Sequence, residues 1–212
     1  MSATRTLGAI LYPDFELLDL YGPLEMFGSL GEALRIVTIA EKTGPVASAQ
    51  GPETVARFDF ASAPALDLLL LPGGIGTLAQ LQSEPLHAFL RDRSRTAEAT
   101  LSVCSGSAIL ARAGLLDGRR ATSNKQFFSL ATSQSDAVRW IEKARWVEDG
   151  PFVTSSGVSA GIDMALAVIA KLWGLERAEL IANATEYAWQ SDPAHDPFHR
   201  FLNQAATQLA AR

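Results

Sequence analysis

Apolar residues follow two rhythms along this chain: short, nearly continuous runs alternate with longer stretches at helical spacing. The runs at 7–12 (LGAILY), 34–40 (LRIVTIA), 66–71 (LDLLLL) and 99–103 (ATLSV) predict buried strands. Pro13 stops the first, and Pro72-Gly73-Gly74-Ile75-Gly76 ends the third. Two weaker strand signals flank Gly51-Pro52 between 46 and 60, an excursion at the sheet edge. Brief strands are predicted at 119–123 and 138–141. Residues 144–154 form a hairpin across Asp149-Gly150. A loop over 14–23 leads into a helix ending near Phe27. Further helices are predicted at 77–82, 85–96, 105–112, 124–131, 159–173, 176–187 and 197–211.

Strands that are apolar throughout and alternate with helices indicate an α/β fold, with a mostly parallel central sheet and helices on both faces. The 212 residues, 48% of them hydrophobic, suffice for one domain spanning 1–212. In such sheets sites form beyond the carboxyl ends of strands. The segment from Pro13 to Asp19, the pair Gly73-Gly74, and Cys104 each follow a strand end, so they converge on one crevice.

Composition narrows the function classes. Net charge is −5 and the 18 Lys and Arg residues form no basic stripe, so nucleic acid is not expected as a direct partner. The single cysteine excludes an internal disulfide and fits a reducing cytoplasm. Met1 to Arg5 runs straight into a strand without a signal-type apolar stretch, and no apolar run is long enough to span a bilayer, so no membrane association is expected.

That cysteine, Cys104, lies between the strand at 99–103 and the helix at 105–112, which Ala113-Gly114 closes. Such a turn aims a side chain at solvent beside a helix N-terminus, where free N–H groups and the helix dipole favour an anion. The expectation is a stabilised thiolate nucleophile; the alternative is a buried cysteine acting as a small hydrophobe. Gly73-Gly74 is either a plain turn or a place where backbone N–H groups approach a ligand, forming an oxyanion hole with the Ser105 N–H. The first strand–helix loop offers a carboxylate, Glu16 or Asp19. Asp19 lies between Leu18 and Leu20, where a charge is costly unless paired, and the alternative is a helix cap near Gly22-Pro23. Protonated by burial, it would donate a hydrogen bond to sulfur and a proton to substrate. His87 reads as a solvated helix residue, and His195 and His199 as surface loop residues. No metal site is expected, because no His, Cys or carboxylate cluster has ligand-like spacing. Neither a P-loop nor a dinucleotide fingerprint occurs.

Tyr12-Pro13 through Leu18-Asp19-Leu20-Tyr21-Gly22-Pro23, Leu71-Pro72-Gly73-Gly74, Ser102-Val103-Cys104-Ser105-Gly106-Ser107, Ala113 through Thr122, and Gly157-Val158-Ser159-Ala160-Gly161-Ile162-Asp163 together resemble the DJ-1/PfpI superfamily. That superfamily has a class I glutamine-amidotransferase-like fold. Within it the chain resembles the branch of isocyanide hydratases and of sensor domains in AraC-type regulators. The resemblance implies a flavodoxin-like sandwich, a homodimer, no cofactor and a small-molecule substrate. It puts the nucleophile at Cys104, the acid/base carboxylate at Asp19, and backbone donors at Gly74 and Ser105. In the hydratases the thiol forms a thioimidate with the isocyanide carbon, and water releases an N-substituted formamide. Relatives commonly have histidine where this chain has Asn124, which hydrogen-bonds but is no base at neutral pH. This weighs against a peptidase or amidase and leaves Asn124 as a pocket-lining residue.

The other readings are a stand-alone ligand sensor, a redox or stress protein in which Cys104 is oxidised, and a glyoxalase-like enzyme. Regulators of the branch carry a helix-turn-helix unit after this domain; with the sequence ending at Arg212, direct regulation of DNA is not expected.

Overall fold

The computed structural model of the chain describes residues 4–205. Its elements in chain order are β1 (Arg5–Ile10), α1 (Leu17–Gly28), β2 (Leu34–Ala40), β3 (Gly44–Ala47), β4 (Glu53–Ala56), β5 (Phe58–Asp59), β6 (Leu68–Leu71), α2 (Thr77–Gln80), α3 (Glu84–Arg93), β7 (Ala99–Ser102), α4 (Gly106–Arg112), β8 (Arg120–Ala121), α5 (Phe128–Thr132), β9 (Arg139–Trp140), β10 (Trp146–Asp149), β11 (Phe152–Ser155), α6 (Ala160–Trp173) and α7 (Leu175–Ala184). Seven strands form the central sheet in the order β10-β11-β7-β6-β1-β2-β5. All its pairings are parallel except β10 with β11, which form the expected antiparallel hairpin. This is the flavodoxin-like α/β sandwich the sequence predicts.

Strand burial explains the apolar runs. Leu68 to Leu71 are all fully buried, as are Leu7, Ile10 and Leu101, because helices cover both faces. Strand order turns at β1, with β2 on one side and β6 then β7 on the other, so a crevice opens above the carboxyl ends of β1, β6 and β7. Helix α1 crosses α6 closely there. A Cβ on Gly22 would stand 2.8 Å from Ile162 Cγ1, so glycine sets the approach that holds the start of α1 over the crevice.

Several elements depart from their predicted bounds. Helix α1 starts at Leu17, so the loop is shorter than the predicted 14–23, and Pro23 lies inside the helix. The predicted helix at 124–131 begins only at Phe128. Asn124 Oδ1 accepts the Phe127 N–H at 3.1 Å, a local turn that competes with the helix. The strand at 119–123 shrinks to Arg120–Ala121, because the Thr122 N–H bonds Thr154 Oγ1 at 2.8 Å. Residues 197–211 were predicted helical; Pro197–Phe201 form a 3-10 turn, and the part beyond residue 205 lies outside the described residues. His87 is a correction: it is buried, with Nε2 2.9 Å from the Gln80 carbonyl oxygen. Its ring packs inward from α3 instead of facing solvent. His195 and His199 are exposed, as expected.

Candidate active site

Strand β7 ends at Ser102, and two residues later Cys104 adopts a left-handed backbone, φ 58°. A non-glycine residue there is strained by about 1–3 kcal/mol and persists only when its surroundings fix it. They do so here. The Cys104 N–H reaches the Ser156 carbonyl at 3.3 Å, and the Cys104 carbonyl accepts the Ser107 and Ser123 hydroxyls at 3.2 and 3.1 Å. Gly106 lets the turn close: a Cβ there would stand 2.7 Å from the Leu71 carbonyl oxygen.

The thiol faces three polar neighbours. Asn124 Nδ2 donates to Sγ at 3.1 Å, its amide oriented by the Phe127 N–H on Oδ1. The Ser105 N–H, at the start of α4, also favours the thiolate. The third neighbour is Asp19, fully buried in the first turn of α1. It caps no helix: its Oδ2 accepts the Gly73 N–H at 2.9 Å, and its carboxyl is close enough to the thiol for that contact to ease its ionisation slightly.

Burial dominates both titrating groups. It pushes the Asp19 carboxyl well above the usual carboxylate range, against the Gly73 N–H, which pulls the other way. Burial also pushes the Cys104 thiol well up; the neighbouring Asp19 charge adds to this, and the donors from Ser105 and Asn124 only partly offset it. The expected stabilised thiolate is therefore corrected. Cys104 is 7% exposed and α4 is only seven residues long, so burial opposes ionisation of both the thiol and the Asp19 carboxyl.

Gly73 and Gly74 also differ from expectation. The Gly73 N–H is committed to Asp19, and the Gly74 N–H donates to Ser105 Oγ at 3.1 Å. Of the three expected oxyanion donors only the Ser105 N–H points at the reactive sulfur. Glycine is nevertheless required at 73, where a Cβ would lie 2.6 Å from both Ser105 N and Ser105 Oγ.

The sequence reading missed four contributors. Thr77 Oγ1 lies 2.9 Å from Ser105 Oγ and 3.2 Å from the Tyr12 hydroxyl, which donates to the Pro72 carbonyl at 2.7 Å. This buried chain fixes the Ser105 hydroxyl. Gly157 packs directly on sulfur, since a Cβ there would stand 2.8 Å from Sγ. Lys125, beside Asn124, is buried and pairs with buried Asp196 at 3.4 Å. Burial holds its ammonium down to about 8. Lys125 stands next to Asn124, and Tyr12 and Gly157 open two of the family-like stretches, but nothing in the sequence assigns any of them a role at the thiol; Thr77 lies in no such stretch.

A cleft of about 760 Å³ opens onto Cys104, Ser105, Gly74 and Asn124, with an apolar wall of Ile75, Leu78, Phe127, Leu130 and Val158. A smaller cavity of about 300 Å³ lies alongside, bordered by Asn124, Gly157, Phe198 and Phe201. The Pro-rich segment thus runs along the crevice rim, held by the Lys125–Asp196 pair and by the Arg145 N–H on the Pro193 carbonyl at 2.7 Å. Among the described residues, no group of three or more His, Cys, Asp or Glu side chains is placed to hold a metal ion, and no helix is long and apolar enough to cross a membrane.

The chain is similar to known proteins in sequence and in fold. The isonitrile hydratase of Pseudomonas putida is 34% identical over 182 residues, covering 86% of this chain and 78% of that protein. The HTH-type transcriptional regulator GbdR of Pseudomonas aeruginosa is 28% identical over 188 residues, again 86% of this chain but 51% of the regulator. Among solved structures, a ThiJ/PfpI family protein from Pseudomonas syringae superposes with a TM-score of 0.82 at 35% identity, covering 99% of this chain and 87% of that one. Residues 8–171 match the profile of the DJ-1/PfpI family, and the chain belongs to that family.

Proposed function

We propose that this protein is a cofactor-free, Cys104-dependent hydratase that converts isocyanides to N-substituted formamides. The observation that carries the reading is geometric: the Cys104 thiol opens onto an apolar-walled cleft with the buried Asp19 carboxyl beside it, and burial opposes ionisation of both groups. The similarity to a protein named isonitrile hydratase supports the same chemistry.

An isocyanide needs a nucleophile and a proton at the same terminal carbon. As sulfur bonds to that carbon, Asp19 delivers its proton there and takes up the thiol proton in exchange, leaving a neutral thioimidate and a neutral acid. This relay needs no free thiolate, which fits a thiol pushed up by burial. Water then adds to the thioimidate carbon while Asp19 passes a proton to nitrogen and receives one from the water. Cleavage of the carbon–sulfur bond forms the formamide carbonyl as the hydroxyl proton returns to sulfur. Isocyanide and water are consumed and formamide is released, with thiol and acid restored.

Asn124 holds sulfur in position through its N–H and supports departure of the thiolate, a role for which a base is unnecessary. The test is formamide production from a neutral alkyl isocyanide such as cyclohexyl isocyanide. Turnover by wild type that Cys104→Ala abolishes is expected; inactive wild type, or a rate unchanged in Cys104→Ala, overturns the proposal.

A second reading, a ligand-sensing module, is favoured by one observation. The Gly73 and Gly74 N–H groups are satisfied within the protein instead of pointing into the cleft. The match to the regulator GbdR is consistent with it. Ligand binding without turnover would support this reading.

A further inference from the structure

Glu16 is the one charged side chain among the described residues lining the cleft onto Cys104; the rest of that lining is apolar or neutral. It is held at both ends. Its backbone N–H donates to the Gly73 carbonyl at 2.8 Å, and its Oε1 accepts from Gln50 Nε2 at 2.8 Å. Gln50 in turn accepts the Leu17 N–H at 3.1 Å. The partner is thus a neutral amide that fixes the carboxylate without cancelling its charge. No ion pair among the described residues includes Glu16. The field reaches the reactive pair: the Glu16 charge pushes the Asp19 carboxyl upward. The nearest cation along the site loop, Lys125, is buried against Asp196 and does not line this cleft.

We propose that Glu16 sets the charge selectivity of the Cys104 cleft, admitting neutral and cationic electrophiles with apolar bodies and turning away those that carry a carboxylate or other anion. A single fixed charge within several ångströms of the approaching group changes encounter and binding by about five- to tenfold at low ionic strength, and salt weakens the effect. The identity of the natural electrophile rests on the hydratase reading; the charge selection does not.

Cys104 is the only cysteine, so thiol reagents report on this site alone. The probes are two methanethiosulfonates of similar size, one with a trimethylammonioethyl group and one with a sulfonatoethyl group. In each, the Cys104 thiolate attacks the sulfenyl sulfur, a disulfide forms and methanesulfinate leaves. The cation-to-anion rate ratio, divided by the ratio for a small free thiol, removes the intrinsic reactivity of both reagent and sulfur. Wild type should give a normalised ratio of about ten that falls as salt is added. Glu16→Gln, which keeps the Gln50 contact, should bring it close to one, and Glu16→Lys should invert it. A wild-type ratio near one, or one unchanged in Glu16→Gln, overturns the proposal.

Turnover gives the second arm. Methyl isocyanoacetate and isocyanoacetate differ by the anion, and Glu16→Gln should raise kcat/KM for the acid relative to the ester by about fivefold. An unchanged relative kcat/KM counts against the role of Glu16. If wild type hydrates neither compound, the hydratase reading falls, while the reagent ratio still decides the role of Glu16.

Discussion

The Gly73 N–H donates to Asp19 Oδ2 at 2.9 Å, joining the loop after β6 to the first turn of α1 across 54 residues of chain. This contact decides which way the carboxyl faces. One oxygen is held by the backbone, and the group as a whole is kept beside the Cys104 sulfur in a space water does not reach.

Asp19→Asn keeps an acceptor for Gly73 and removes the titrating proton. At pH values where the native Asp19 is ionised, its charge adds to the upward push on the thiol, so in Asp19→Asn the midpoint of iodoacetamide alkylation against pH should move downward. Isocyanide turnover should nevertheless fall by about 100-fold or more. Reactivity and catalysis then move in opposite directions, and a midpoint that rises contradicts the assigned contact.

The same residue predicts a pH dependence of stability. The native Asp19 carboxyl is raised above its unfolded value, so the folded state holds a proton that the unfolded chain has already lost. The contribution of Asp19 to the unfolding free energy should therefore be greatest at or below the unfolded carboxylate range and fall as pH rises toward the native value, so wild type should lose stability relative to Asp19→Asn over that range. Denaturant titrations at several pH values should show this slope in wild type and its loss in Asp19→Asn.

Asn124→Ala removes the only side-chain nitrogen that donates to sulfur among the described residues. The thiol should be pushed further up, and alkylation at neutral pH should slow by about tenfold, the worth of one hydrogen bond to a charged group. Asn124→Asp keeps the Phe127 contact but replaces the donor with a like charge, so it should slow the reaction more. Alkylation kinetics of both variants against wild type check the ordering.

Gly73→Ala places a methyl group 2.6 Å from Ser105 N, against backbone that cannot easily withdraw. A loss of about 1–3 kcal/mol is expected together with loss of turnover. Gly28→Ala, whose Cβ would meet only Ile36 Cδ1 at 3.9 Å, is the control and should fold as wild type does. Denaturant midpoints separate the two.

Lys125→Met and Asp196→Asn each leave a buried partner uncompensated and should cost about 3 kcal/mol or more. The double variant should recover part of the loss. Simple additivity in the double-mutant cycle would mean the pair is not coupled.

Much of this molecule was legible in the sequence because its strands are buried on both faces. LLLL at 68–71 can be little else than a core strand, and the glycines at 73, 74 and 106 mark places where backbone meets backbone. Cys104 stood out in the sequence as a candidate nucleophile and Asp19 as a costly carboxyl, and the structure brings the two together. Their burial was not legible, because one strand–turn–helix pattern suits either an exposed thiol or a buried one. Ser105 was singled out for its backbone N–H, but the hydroxyl chain Tyr12–Thr77–Ser105 was not legible because topology alone brings those three side chains together. His87 misled for a similar reason: a polar helix still has an inner face.

The left-handed backbone at Cys104 sets stability and chemistry against each other at a single codon. Glycine adopts φ 58° without strain, so a selection for thermal tolerance acting on position 104 would favour the one residue that has no sulfur to offer. Against that relief the fold would lose the packing of one small buried side chain and its contact with Asn124. Ranking every substitution at 104 by melting temperature would weigh the backbone strain against that packing, and a glycine variant more stable than wild type would mean that the cysteine answers a demand other than stability.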